Sequence, residues 1–383
     1  MPRIIAIMNQ KGGVGKTTTA LNLGAALARR DKRVLLVDLD PQANLTLGLG
    51  KRAANLSESV YELLTSSKPD VAHLVVRTQW DRLDIIPSHI DLSGAEIEMV
   101  MMIGREMRLS KSLQILHHDY DYILIDCLPS LSLLTVNAMA AASEVLVPLQ
   151  AHPFALEGLG KLFEVIGMVR EAMNPPLKLS GVLVTMFDTR TNVARVTFEA
   201  LRLDERLREH IFTTVVRQNI RIAESQKDGL PVIYFDPNCH ASKAYSALCE
   251  EVLEMETGCV ASQCAQRIAA REERDGTKPR TFTSDVTASV ARVAEPRAPK
   301  PATSATITVQ QASHLPLSVP QASRLPSSVP QASRLPLAHE LPHLLEQAGE
   351  TSAVRENSRR NTPDVETIYP TDSARVLLAT PVV

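Results

Sequence analysis

The sequence predicts an α/β protein in which a mostly parallel sheet carries helices on both faces, followed by a disordered proline-rich C-terminal tail. Short apolar runs alternate with helical stretches over the first two-thirds of the chain, as in parallel strands joined by helices. A glycine-rich loop directly follows the first of these runs. Beyond Gly258, prolines become frequent and aromatic residues become rare. We therefore expect a folded domain at 1–257 and a tail at 258–383.

The first apolar run, Ile4 to Met8, leads through the loop into a proline-free helical stretch, Thr17 to Arg30. The loop departs from the standard phosphate-loop pattern, G-x-x-x-x-G-K-[ST], because position 10 is glutamine. Its glycines still allow a tight turn with positive φ, so backbone N–H groups can point at a phosphate at the helix N-terminus. The residues predicted to bind this phosphate are Gly12, Gly13, Val14, Gly15, Lys16, Thr17 and Thr18.

Two side chains of this loop carry its chemistry. Lys16 can reach the β- and γ-phosphates of a nucleotide, and the Thr17 hydroxyl can ligate Mg²⁺. The alternative is a glycine-rich turn without a ligand. Three glycines, a lysine and a threonine in register between a strand and a helix favour phosphate binding instead. The loop alone leaves GTPase, kinase and ATPase activities open.

A pair of carboxylates follows the second predicted strand, Val34 to Val37. Ligands of open α/β sheets bind at the carboxyl ends of strands. Alternation gives Asp38 and Asp40 the same side if the strand continues to Pro41. Asp40 is therefore predicted to orient a water molecule toward the γ-phosphate. The alternative, a helix cap or a solvated loop, explains one carboxylate better than it explains the pair.

A third acidic residue, Asp126, ends the predicted strand Tyr122 to Ile125. An acidic residue there can hold Mg²⁺, usually through water, as the Walker B carboxylate does. The same alternation of patterns continues to a predicted last helix, Tyr245 to Met255. The other predicted elements are strands at Leu83 to Pro87, Glu144 to Leu149 and Leu179 to Met186, and a helix at Leu156 to Ala172.

Five segments, KGGVGKTTT, VDLDPQAN, IDCLPSLSLLTVNAM, VTMFDTRTN and GLPVIYFDPN, together resemble the ParA/Soj branch of the deviant Walker A ATPases. MinD and nitrogenase iron protein are more distant members. The resemblance covers Met1 to about Glu256 and implies a P-loop NTPase fold with ATP and Mg²⁺ as cofactors. Two loops depart from the family. Leu128 stands where a first of two prolines is usual, and AESQKDG, from Ala223 to Gly229, stands where the family often has SEAPSHG.

The resemblance also implies a role for Lys11, which matches the signature lysine of the family. In that family two protomers sandwich two ATP molecules, and this lysine reaches the phosphates of the partner. Such a cation acts as an arginine finger does, so that hydrolysis requires a homodimer. The implied catalytic residues are Lys11, Lys16 and Asp40, and Lys11 also joins the nucleotide-binding set. The alternative for Lys11 is a solvated surface side chain.

The implied function is ATP-dependent partitioning of chromosome or plasmid DNA. ATP-bound dimers of the family bind DNA without sequence preference, which requires basic side chains that contact phosphates. Arg217 and Arg221 are the predicted DNA-binding residues, because Arg221 matches a basic position that the family uses. Arg190 and Arg195 are weaker candidates. A ParB-like centromere-binding protein is expected to stimulate hydrolysis and release the DNA.

The composition indicates a chain with a large core and no membrane span. Hydrophobic residues make up 44%, the formal charge is −2, and no apolar run approaches about 18 residues. Five cysteines without C-x-x-C spacing and the lack of an evident signal peptide suggest reduced thiols in a cytoplasmic protein. The resemblance to ParA/Soj proteins further implies association with the nucleoid. The tail has thirteen of the 24 prolines and three ten-residue repeats at 311–340, which we interpret as a disordered spacer.

Other functions are considered alongside this one. A MinD-like membrane ATPase is disfavoured because the final segment, ARVLLATPVV, contains a proline and one arginine, unlike a basic amphipathic helix. A metallocluster ATPase similar to nitrogenase iron protein needs cluster cysteines, and none here has a matching context. An ATPase that positions a protein cargo and a scaffold that acts through its tail are further alternatives. Intact Lys16, Thr17, Asp40 and Asp126 argue against an inactive scaffold.

Overall fold

The computed structural model describes residues 1–51, 58–152 and 155–274. The predicted tail beyond residue 274, with its repeats at 311–340, lies outside the described residues. Within them the predicted α/β class is confirmed, because an eight-stranded sheet lies between helices on both faces. No helix in this described part is long and apolar enough to cross a bilayer.

The sheet has the strand order β3-β4-β2-β5-β1-β6-β7-β8. Neighbouring strands run parallel, except that the short β3 at one edge runs antiparallel to β4. The strands are β1 Arg3–Ile7, β2 Val34–Leu39, β3 Val76–Arg77, β4 Leu83–Ile86, β5 Tyr122–Cys127, β6 Glu144–Gln150, β7 Lys178–Phe187 and β8 Ile211–Arg217.

Two apolar cores form because alternate residues of each strand point to opposite faces. In β1, Ile4 and Ala6 pack into one core, and Ile5 and Ile7 pack into the other. Helices α3 to α8 cover the first core, and α1, α2 and α9 to α12 cover the second. The helices are α1 Lys16–Ala28, α2 Asn44–Gly48, α3 Val60–Thr65, α4 Leu92–Met99, α5 Arg108–Leu113, α6 Leu133–Ala141, α7 Ala155–Ala172, α8 Asn192–Leu203, α9 Ile220–Lys227, α10 Val232–Phe235, α11 His240–Glu254 and α12 Ala261–Arg274.

The central strands bring the predicted site residues together at the carboxyl ends of the parallel strands, called the carboxyl edge of the sheet below. Strand β5 lies between β1 and β2, so Asp126 pairs in register with Ile7 on one side and with Asp38 on the other. The glycine-rich loop leaves the carboxyl end of β1 next to both carboxylates. This edge is where parallel sheets bind ligands.

Some predicted element ends change in the structure. Strand β5 continues through Cys127, so Asp126 lies inside the strand instead of ending it. The edge strands β3 and β8 were not predicted. β3 has only two residues and no local signal, whereas β8 has one, the run IFTTVVR of mostly β-branched residues. The predicted last helix corresponds to α11, but α12 follows it.

Helix α12 lies beyond the predicted domain boundary at residue 257 and packs on α11 and β8, so folded structure continues past that boundary. Ala261 and Cys264 are buried in the contact. The buried Glu254 carboxylate at the end of α11 accepts from Arg271 Nη1 at 2.8 Å and lies 3.6 Å from Arg267 Nε. Cys264 also packs against Cys259, and the reduced state of the five cysteines stays a prediction.

We expect a fragment ending at residue 257 to be less stable than one ending at residue 274. The shorter fragment exposes the surface that α12 covers and leaves Glu254 without its two arginines. The two ion pairs contribute little, because both arginines are about half-exposed to solvent. Together with the uncovered surface, we expect the free energy of unfolding to fall by about 2–4 kcal/mol, or Tm by roughly 5–15 °C. Thermal unfolding of the two fragments under the same buffer conditions measures the difference. Equal melting temperatures would show that α12 contributes nothing to the domain.

Candidate functional site

The glycine-rich loop has the backbone that an anion-binding turn requires. Gly13 and Gly15 adopt φ values of 72° and 87°, in the left-handed region where a Cβ atom is strained. Gly15 is the N-cap of α1, and its carbonyl accepts the first helical hydrogen bond from Thr19 N at 2.9 Å. The free N–H groups at this helix start therefore face the same space as the loop.

Hydrogen bonds to two distant strands fix the loop in place. Asn9 Nδ2 donates to Pro148 O at 2.8 Å, and Asn9 Oδ1 accepts from Lys11 N at 3.0 Å. Thr185 Oγ1 of β7 donates to Val14 O at 2.7 Å. Asn9 and Thr185 were missed by sequence reasoning, because their contacts join residues more than a hundred positions apart. Their bonds therefore attach the loop to β6 and β7.

The two lysines of the loop occupy different environments. Lys16 is buried, and its Nζ donates to Lys11 O at 3.2 Å. Burial lowers the pKa of Lys16, and the Asp126 carboxylate opposes this change. Lys11 is exposed, and its Nζ lies 3.4 Å from Gln150 Oε1. Lys16 is thus directed into the loop, whereas the Lys11 side chain extends from its surface.

Asp38 and Asp40 differ in what they contact. Asp38 is fully buried, and its Oδ2 accepts from Thr46 N at 2.8 Å and from Thr46 Oγ1 at 2.7 Å. Burial raises the pKa of Asp38 to about 6, against these hydrogen bonds. Asp38 therefore ties β2 to α2. Asp40 lies just past the strand, where its Oδ1 accepts only from Gln42 N, at 2.9 Å, among the bonds of the described residues.

Asp126 is the chemically unusual group of the site. Both carboxylate oxygens are buried and have no hydrogen-bond partner of normal geometry among the described residues. Burial and the nearby Asp38 raise the pKa of Asp126 well above its ordinary value, and the facing Thr17 hydroxyl and Lys16 act in the opposite direction. A buried carboxylate without partners is costly, and hard oxygen ligands suit Mg²⁺. The Asp126 and Thr17 oxygens thus fit a divalent cation.

Of the predicted DNA-binding arginines, one lies on α9 and the other lies at the end of the strand before it. Arg221, on its first turn, is half-exposed, and its Nη1 donates to Glu224 Oε2 at 2.8 Å. Arg221 Nε also lies 3.3 Å from Asp236 Oδ2. Arg217 is partly exposed at the end of β8. Of the weaker candidates, Arg190 pairs with Asp188, and Arg195 lies on α8.

Two open cavities, of about 810 and 690 Å³, lie on the opposite side of the sheet from the glycine-rich loop, near the amino ends of the strands. Both include Arg33 and Tyr120, near the amino ends of β2 and β5. Arg33 is already paired with Asp121 at 3.0 Å, so its charge is compensated. Neither cavity contains a residue of the glycine-rich loop. We therefore assign the candidate site to the carboxyl ends of the strands, where the loop and the carboxylates lie, and not to these cavities.

Comparison with known proteins gives consistent matches. A family model described as "AAA domain" matches residues 2–179. The chain is 46% identical over 252 residues to sporulation initiation inhibitor protein Soj of Bacillus subtilis, covering 66% of this chain and 98% of that protein. It is 45% identical over 255 residues to chromosome partitioning protein ParA of Myxococcus xanthus, covering 67% and 89%. A solved structure of cobyrinic acid a,c-diamide synthase from Mycobacterium smegmatis with bound ATP analog and magnesium has a TM-score of 0.58 and 36% identity, covering 67% and 96%.

Proposed function

The chain belongs to the ParA/MinD family of P-loop ATPases, and from this membership we propose that it is an ATP-hydrolysing DNA-partitioning protein. One observation carries the catalytic part of the proposal. The buried Asp126 carboxylate, whose oxygens have no hydrogen bond of normal geometry within the described part of the chain, faces Thr17 at the start of α1. The Lys16 side chain of the preceding loop points inward toward the same place. These groups suit a Mg²⁺-bound triphosphate better than any other ligand class that a glycine-rich turn could take.

The binding residues have separate tasks. The N–H groups of the loop, from Gly12 to Thr18, cradle the phosphates, and Lys16 compensates the charge of the β- and γ-phosphates. Thr17 and Asp126 would hold Mg²⁺, Asp126 through water, and the ion would supply positive charge to offset the charge on the phosphate oxygens. ATP and Mg²⁺ also agree with the ligands in the M. smegmatis structure.

Asp40 is proposed to orient the attacking water. Its carboxylate lies just past β2, next to Lys16 and Asp126, and it is close enough to both to influence their pKa values. Asp38 is unsuited to this task, because Thr46 occupies one of its oxygens twice. Of Asp38 inside β2 and Asp40 just after it, Asp40 therefore has the freer oxygen atoms.

Lys11 is proposed to act on the ATP of a second protomer. Its side chain is exposed and extends from the loop, while its own carbonyl holds Lys16. A homodimer that closes face to face would bring this ammonium group to the partner's phosphates. Dimerisation and hydrolysis are then coupled, because each site lacks its second lysine until the partner supplies it.

The DNA-binding part of the proposal concerns the ATP-bound dimer. Arg217 and Arg221 would contact DNA phosphates without reading the sequence, and a dimer doubles the number of such contacts. Arg221 would exchange Glu224 and Asp236 for DNA phosphates. A ParB-like protein would stimulate hydrolysis and end DNA binding, in the cytoplasm and at the nucleoid. The name of the Myxococcus xanthus relative, chromosome partitioning protein ParA, supports chromosome partitioning over protein cargo.

We expect Asp40→Ala to keep ATP binding and lose turnover by about 100-fold or more, because positioned proton acceptors contribute about that much. ATP then persists, so the variant should remain bound to DNA after ATP addition while wild type dissociates. Calorimetry with ATP, phosphate release, and retention on a duplex of arbitrary sequence measure the three effects.

The exposed surface carboxylate variant Asp81→Ala is the matched control for Asp40→Ala, and it should behave as wild type. Asp40→Asn keeps the acceptor for Gln42 N and separates the loss of charge from a local change in the loop. Wild-type turnover by Asp40→Ala would remove Asp40 from the mechanism. Failure of wild type to bind DNA with ATP would contradict the partitioning function.

A further inference from the structure

The segment from Asn219 to Asp236, which contains α9 and α10, is attached to the nucleotide side of the protein at several points. Gln226 Nε2 donates to Thr18 Oγ1 at 3.0 Å, and Val232 N donates to Asn22 Oδ1 at 2.7 Å. Gly229, with φ 66°, packs so closely on Gly50 that a Cβ atom would lie 2.7 Å from Gly50 Cα. The helix α9 is thus held between α1 and the segment that follows Asp40.

The Gln226 contact is the one that reaches a predicted phosphate-binding residue. Thr18 lies on the first turn of α1, and Gln226 lies 208 positions away on the last turn of α9. Gln226 falls within AESQKDG, at the position where the family pattern SEAPSHG has proline. Proline has no side-chain donor, so it could not make this bond. The link is therefore a property of this chain's own sequence.

The chemistry of the contact makes it responsive to an anion. Thr18 Oγ1 accepts from the Gln226 amide and keeps its own hydrogen for another acceptor. A phosphate oxygen at the loop would accept that hydrogen. Consecutive hydrogen bonds polarise one another, so an anion on Thr18 strengthens the bond to Gln226. Occupancy of the loop thereby stabilises the position of α9.

The same helix carries a basic group suited to a polyanion. Arg221 lies at the start of α9, half-exposed, and Arg217 precedes it at the end of β8. The buried Ser225 and the N-cap bond from Arg221 N to Asn219 Oδ1, at 2.9 Å, keep α9 a single unit. A restraint applied at Gln226 is therefore transmitted along fewer than two helical turns to Arg221.

We infer that Gln226 is a positioning residue that couples phosphate binding at Thr18 to polyanion binding at Arg221. This inference rests on the proposed function, because it assigns the coupling to ATP and DNA. The bond links the two sites through one helix, so each ligand favours the same position of α9. The coupling is reciprocal: ATP raises the affinity for DNA, and DNA raises the affinity for ATP by the same factor.

The test compares wild type, Gln226→Ala and the control Gln263→Ala, which removes an exposed glutamine from α12. We expect Gln226→Ala to weaken binding of a non-hydrolysable ATP analogue by about 2- to 10-fold, the effect of one hydrogen bond. The analogue raises the affinity of wild type for a short duplex DNA by some factor. In Gln226→Ala this factor should be smaller, also by about 2- to 10-fold. Without nucleotide, the amides of α9 should exchange hydrogen faster in Gln226→Ala, whereas Gln263→Ala should match wild type throughout.

Each outcome decides a different point. Unchanged analogue affinity and unchanged DNA ratio in Gln226→Ala would overturn the inference. Weaker analogue binding with an unchanged DNA ratio would also overturn the coupling and leave Gln226 a nucleotide-side residue. A wild-type DNA affinity that does not respond to the analogue contradicts the proposed function instead. Analogue affinity and hydrogen exchange of α9 would then still show whether Gln226 links the loop to the helix.

Discussion

Lys16→Ala is expected to lower ATP affinity by about 100-fold or more. The side chain is buried in the loop, and its ammonium group interacts electrostatically with the Asp126 and Asp40 carboxylates. Hydrogen bonds to charged groups contribute about 1.5–3 kcal/mol each, and Lys16 can make several to the β- and γ-phosphates. Without this ammonium group, two acidic side chains face a triphosphate with no compensating lysine inside the loop.

Calorimetry with ATP and Mg²⁺ measures the effect of Lys16→Ala directly. Lys161→Ala removes an exposed lysine of α7 and is the matched control. Lys16→Arg keeps the positive charge and changes the shape of the cationic group. It should also bind ATP weakly, because a planar guanidinium does not replace a compact ammonium inside a tight loop. Thermal unfolding of each variant separates lost binding from lost folding. A folded Lys16→Ala protein with wild-type ATP affinity would show that the glycine-rich loop is not the nucleotide site.

The loop and the central strands could be predicted because their signals are local. The glycines, Lys16 and Thr17 are consecutive, and β1, β2 and β5 are short apolar runs that parallel sheets bury on both faces. The sequence correctly associated Asp126 with the strand β5. It wrongly put Asp126 at the end of that strand, which continues through Cys127. A strand buried on both faces tolerates a carboxylate inside it only when a ligand or partner offsets the cost of burial.

The remaining parts of the site could not be predicted, because they depend on contacts between distant residues. Alternation gave Asp38 and Asp40 the same side, but only the packing of α2 shows that Thr46 occupies Asp38. Asn9, Thr185 and Gln226 were missed for the same reason. Helix α12 was missed because its apolar residues are small and its polar residues numerous, so that its attachment through Glu254 has no local signature.

Lys11→Ala is expected to bind ATP as a monomer and to lose turnover by about 1,000-fold, the lower limit for a cation supplied by a partner. The substitution spares the loop itself, because Lys11 serves it through backbone atoms: its N–H donates to Asn9 and its carbonyl accepts from Lys16. Its side chain has one described contact, with Gln150. Gln150→Ala removes that contact and keeps the charge, so it should dimerise and hydrolyse ATP as wild type does. Light scattering with ATP and Mg²⁺, together with phosphate release, measures both properties.

Mixing two inactive variants decides whether Lys11 acts on its own ATP or on the partner's. Asp40→Ala supplies an intact Lys11, and Lys11→Ala supplies an intact Asp40. If Lys11 acts across the dimer, a mixed dimer contains one complete site, formed by the ATP and Asp40 of one protomer and the Lys11 of the other. Turnover of the mixture then exceeds that of either variant alone. If Lys11 acts within its own protomer, every site in the mixture lacks one group and turnover stays at the level of the separate variants. That result would assign Lys11 to the site of its own protomer. A normal ATP-dependent dimer of Lys11→Ala would instead reduce Lys11 to a solvated surface lysine.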